Sequence, residues 1–161
     1  FPVDFWGDAP YFKGCVAGKH YMHIDSEVWV EPCIFTHFAT DNIRETSLAD
    51  AFNSPYFREI RARQPFSHNL FKPCMLIDQP EQSREIMTLT GARPTHRGAE
   101  SLFTQLGHEL DDYAAEVERV YAPVWSCYSK EHDEAPGAEA PRRTAGTADD
   151  RAKDADAVGV R

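Results

Sequence analysis

The chain has 161 residues, enough for one domain with a real core but too few for a large catalytic barrel. It is 42% hydrophobic with a formal net charge of −9, a balance that argues against a polyanion such as nucleic acid as its main partner. No apolar run has the length of a bilayer span and no amphipathic stretch gathers Lys and Arg on one face, which argues against a membrane partner too.

The opening "FPVDFWGDAPYF" is aromatic-rich: Phe5, Trp6, Tyr11 and Phe12 are expected in the core, with a lid over a nearby site as the alternative. Because the first residue is Phe1, the chain is read as a fragment whose upstream part lies elsewhere, with a stand-alone remnant as the alternative. Apolar and aromatic residues from Lys19 to Ile24 and from Val28 to Val30 flank Asp25-Ser26-Glu27, which predicts a β-hairpin. Asp41-Asn42 predicts a turn closed by side-chain hydrogen bonds. Two short helices follow. The first has Ser47 as its cap and Leu48, Ala51 and Phe52 on one face; the second has Ser54 as its cap, Pro55 at its first position and Tyr56, Phe57 and Ile60 inward.

Pro80 starts a third helix whose apolar residues are Ile86, Met87 and Leu89 and whose stop is Gly91. Arg93 to His96, "RPTH", reads as a polar loop. From Gly98 the spacing Leu102, Leu106, Leu110, Tyr113, Val117, Val120 predicts the longest helix, with Glu109, Asp111, Asp112, Glu116 and Glu118 on a solvated face. Pro123 is expected to break it, leaving "VWSCYS" as a turn or short last helix. Residues 131–161 hold no aromatic residue and are expected to form a disordered tail. The fold class is therefore α+β: a small β-hairpin followed by several α-helices, forming one domain over residues 1–130, with that tail behind it.

Four cysteines, Cys15, Cys33, Cys74 and Cys127, are too few and too widely spaced for a disulfide scaffold, so reduced thiols or metal-bound thiolates are expected, in a cytoplasmic setting. Cys15 and Cys33 sit at the two ends of the hairpin, and Cys74 arrives from a distant segment. Thiolates converging from separate segments suit a cuboidal [4Fe-4S] cluster, whose irons are reached from different sides. Pro32 and Pro73 stiffen the approaches to Cys33 and Cys74. The alternatives are buried free thiols, a Cys15–Cys33 disulfide, and a zinc module using Cys15, Cys33, Cys74 and His37.

The runs "GCVAGKHYMHIDSEVWVEPCIF", "DNIRETSLADAFNSPYFREIRARQ" and "NLFKPCMLID", covering about residues 14–78, resemble the C-terminal auxiliary-cluster domain of radical S-adenosylmethionine enzymes, the SPASM and twitch group. The resemblance implies that Cys15, Cys33 and Cys74 hold one [4Fe-4S] cluster, with Cys127, Asp78 or an open site at the fourth corner. "SEVWV" stands where the family's hairpin usually carries glycine, and the further cysteines of two-cluster members are missing after Cys74. The CxxxCxxC loop that binds the S-adenosylmethionine-cleaving cluster is absent. The expected partner is thus an upstream radical S-adenosylmethionine barrel, the only place where S-adenosylmethionine would bind. The chain alone is not expected to be catalytic; its implied role is to help bind substrate or to pass an electron. A structural zinc module or a metal-free interaction module is the alternative function.

Overall fold

A computed structural model describes residues 14–133. The hairpin consists of β1 (His23–Ile24) and β2 (Val30–Glu31), antiparallel, with His23 opposite Glu31 and Ile24 opposite Val30. Asp25 builds its turn: Oδ1 accepts the amides of Glu27 and Trp29, each at 2.9 Å. Val28 takes φ 64°, the left-handed region in which a β-branched side chain crowds its own backbone. Val28 lies within the "SEVWV" run, where the resemblance leads one to expect a hairpin glycine. Val28→Gly should raise the stability by about 0.5–1 kcal/mol, read as a higher urea midpoint, once the strain relieved is set against the greater entropy of an unfolded glycine. A lower midpoint would mean that Val28 contributes more by packing than it costs in strain.

The second sheet pairs β3 (Phe38–Ala39) antiparallel with β4 (Arg93–Pro94), Phe38 opposite Pro94 and Ala39 opposite Arg93. "RPTH" is therefore partly strand, not a free loop. The helices α1 (Leu48–Phe52) and α2 (Pro55–Arg63) form where their capping residues predict. The Ser47 hydroxyl accepts the Asp50 amide at 3.1 Å, whereas Ser54 caps α2 by position only and makes no side-chain cap bond. Asn42 closes its turn by accepting the Arg44 amide at 3.0 Å. Helix α3 (Pro80–Thr90) ends on Gly91 at φ 70°, as its stop signal predicts; Ile86 and Met87 face the core and Leu89 points to solvent.

The last helix corrects two expectations. A 3₁₀ turn (Ala99–Leu102) precedes it, so α4 runs from Gly107 to Asp133 instead of starting near Gly98. It also passes through Pro123 without a break. A proline inside a helix costs about 3 kcal/mol. Contacts on both sides of it offset this: the Phe71 ring meets Tyr121, Trp125 and Tyr128 at centroid distances of 6.3, 5.3 and 5.1 Å. Two carboxylates from the expected solvated face bind the domain instead, Asp111 to Arg84 at 2.8 Å and Glu118 to Lys72. Of the expected tail, residues 131–133 belong to α4; residues 134–161 and the aromatic residues Phe5, Trp6, Tyr11 and Phe12 lie outside the described residues.

The core gathers Tyr56, Phe57 and Ile60 from α2, Ile86 and Met87 from α3, Val30 from β2, Phe38 from β3, and Met75. Each such side chain contributes about 1.5–3 kcal/mol on burial. Cys15 and Cys33 belong to the same cluster, so the apolar core itself positions two of the thiols. The α+β expectation holds, and no helix among the described residues is long and apolar enough to cross a membrane.

Candidate metal centre

Cys15 and Cys33 lie in the core and Cys74 is half-buried, and the backbone segments that carry them are held by identifiable bonds. The loop after Cys15 is fastened to the residue before Cys33: the Gly18 amide donates to the carbonyls of Tyr21 (2.8 Å) and Pro32 (3.0 Å). Helix α2 closes the same loop from the other side. Gln64 Nε2 donates to the Ala17 carbonyl at 2.8 Å, and one Arg61 nitrogen donates to the carbonyls of Gly18 and Phe52 at 3.0 and 2.8 Å. Gly18 has φ 66°, and a Cβ there would come within 3.3 Å of Phe57 and 3.2 Å of Ile60, so only glycine lets the loop lie this close to α2.

Cys74 is carried by a turn that Asp78 closes in both directions. The Cys74 amide donates to Asp78 Oδ2 at 2.9 Å, and the Asp78 amide donates to the Cys74 carbonyl at 3.1 Å. The Ser83 hydroxyl of α3 donates to the Met75 carbonyl, which fixes this turn to the helix. Asp78 is nearly fully buried, and burial pushes its carboxyl pKa up, while the Cys74 amide and Lys72 pull it down.

All four cysteines are free thiols: Cys15 and Cys33 buried, Cys74 half-buried, Cys127 exposed. The expected disulfide alternative is thereby set aside. Burial, opposed by the Ala17 and Met75 amides, raises the Cys15 pKa, and the neighbouring Cys33 raises it further. Burial also pushes Cys74 up, to about 12, against the Ile77 and Leu76 amides; Cys15 and Asp78 add to the rise. Cys15 therefore stands within electrostatic reach of both Cys33 and Cys74. Cys127 does not join them; its thiol sits on α4 beside Glu131, 3.7 Å from Oε1. Among the described residues no three Cys, His, Asp or Glu side chains converge on a point where one ion would bind. His37, the zinc alternative's fourth ligand, faces Glu31 instead, with Nδ1 3.6 Å from Oε1.

The metal-free chain should lose stability at alkaline pH. The folded state holds the Cys74 proton more tightly than an ordinary thiol near 9.0, so this stabilisation is complete below about pH 9 and disappears towards about 12. Urea midpoints across that range should fall, and fall less in Cys74→Ala; equal slopes in the two chains would contradict the assignment.

Two features of the site suit a group larger than a single ion. The thiols lie on separate backbone segments, and peptide N–H groups of Ala17, Met75, Leu76 and Ile77 are turned towards two of the sulfurs. In addition, the Tyr56 hydroxyl is fully buried without a hydrogen-bond partner, and after burial the Cys33 sulfur bears on it most strongly. A buried hydroxyl left unpaired is costly, and an acceptor supplied by a bound group would satisfy it.

Residues 15–76 match the family model of SPASM, an iron-sulfur cluster-binding domain. This segment resembles a SPASM-type domain. The matched interval opens on Cys15 and contains Cys33 and Cys74, while Asp78, Cys127, α3 and α4 fall outside it. No curated protein and no solved structure matches the chain. Sequence reasoning missed the shell around the SPASM cysteines: Thr36, whose Oγ1 lies 3.2 Å from Cys33 Sγ, the Tyr56 hydroxyl, and the Arg61 and Gln64 clamps. Only the Cys33-x-x-Thr36 spacing, that of a tight turn, offered a signal for any of these.

Proposed function

We propose that the chain is the auxiliary-cluster part of a radical S-adenosylmethionine enzyme, holding one [4Fe-4S] cluster through Cys15, Cys33 and Cys74. The observation that carries this reading is the match of residues 15–76 to the SPASM cluster-binding model together with three free thiols inside that interval, Cys15 and Cys33 in the buried core and Cys74 half-buried. Such a cluster supplies one-electron capacity and, where a corner lacks a thiolate, an iron to which a substrate atom can bind. The chain's own residues hold and orient the thiolates and shield them from water. Their amides stabilise sulfur charge, and the three thiol protons leave when metal is loaded.

Asp78 is placed beside Cys15 and Cys74 and borders a hollow shared with Pro80, Arg84, Asp111 and Ala114. The fourth corner accordingly falls to Asp78 or to a ligand entering from that side. The natural partner is a barrel domain upstream, where S-adenosylmethionine would bind; a CxxxCxxC in frame before Phe1 is the expected finding.

Anaerobic reconstitution with ferrous iron and sulfide tests the reading. The expected product is brown and holds about four irons and about four sulfides per chain. A colourless chain with free thiols, or one that takes zinc in preference, would overturn it.

A further inference from the structure

Resting on that reading, the three sulfurs are not equivalent. Cys15 and Cys74 are served by peptide amides: Ala17 at 3.4 Å and Met75 for the first, Leu76 and Ile77 for the second. Cys33 differs. Its Sγ lies 3.2 Å from the hydroxyl of Thr36, a residue with no exposed surface, in a turn closed by the Thr36 amide on the Cys33 carbonyl at 3.1 Å. Once Cys33 is a thiolate it can only accept, so the Thr36 hydroxyl must donate.

We propose that the Thr36 hydroxyl is dedicated to the Cys33 corner and raises the reduction potential of the cluster. Hydrogen bonds to a ligating sulfur stabilise the more negative, reduced state, so a donor raises the potential. On reduction one electron enters from a reduced mediator dye; no bond in the protein forms or breaks, and the hydroxyl proton stays on oxygen.

Mediated spectroelectrochemistry on the full reconstituted chain, comparing wild type, Thr36→Val and Thr36→Ser, tests this. Thr36→Val should move the midpoint to more negative potential at unchanged iron content, and Thr36→Ser should stay near wild type. Thr36→Val titrating at the wild-type potential would overturn the assignment, as would a displaced Thr36→Ser. A variant that loses its iron would make Thr36 a scaffold residue, which also overturns it. A wild-type chain that takes up no iron and sulfide would instead bring down the cluster reading itself.

Discussion

Cys33→Ser should leave anaerobic reconstitution with iron content reduced at least about tenfold against wild type, since loss of even a supporting outer-shell group costs 10–100-fold in metal affinity. Serine keeps nearly the same volume, but its hydroxyl does not ionise near neutral pH, so the soft anionic donor disappears while the core stays filled. Cys33 is only 6% exposed, and no spare thiol is close enough to replace it: the remaining cysteine, Cys127, is exposed on α4. The companion substitution Cys127→Ser should therefore keep the wild-type iron content. Circular dichroism of the metal-free chains should be unchanged in both cases. Full iron in Cys33→Ser, or an equal loss in Cys127→Ser, would remove the basis for placing a cluster here.

The parts of this architecture that can be read from the sequence are those governed by local chemistry. Ser47 before α1, Pro55 opening α2 and Gly91 closing α3 each act within a turn of their own position, and each falls where its residue type predicts. Pro123 misleads because its local penalty is outweighed by contacts with Phe71, a residue from a distant segment. The pairing of β3 with β4 is hidden for the same reason. Two-residue strands carry almost no periodicity, and their register is decided by tertiary contacts such as the Thr95 hydroxyl on Glu31. At the site, cysteine is chemically distinctive and Cys15, Cys33 and Cys74 stand out on inspection. Thr36 and Tyr56 do not, because a threonine in a turn and a tyrosine on an apolar helix face have ordinary structural uses. Thr36 meets Cys33 within one tight turn, whereas Tyr56 comes near this region only once the hairpin has been laid on α2.

Phe57→Ala is expected to be the most damaging single change to the fold, costing about 3–5 kcal/mol, measurable as a fall in the urea midpoint at unchanged slope. Phe57 has no exposed surface, and its ring stands 5.7 Å from that of Phe52 and 6.0 Å, edge-on, from that of Tyr56. Its other face lies against Gly18, where even an added methyl group would be crowded. Truncation thus opens a void between α2 and the Cys15 loop, bordered by glycine backbone that has no side chain with which to fill it. Against a total stability of about 5–15 kcal/mol for a domain of this kind, that loss is a large fraction. Phe57→Leu, which keeps most of the volume, should cost less than half as much. Because the same ring seats the loop between Cys15 and Gly18, the alanine chain should also load iron less completely while every cysteine remains in place. An alanine chain that loses less than about 1 kcal/mol would mean that the Cys15 loop collapses into the void, so that α2 does not hold the thiol segment as rigidly as its contacts indicate.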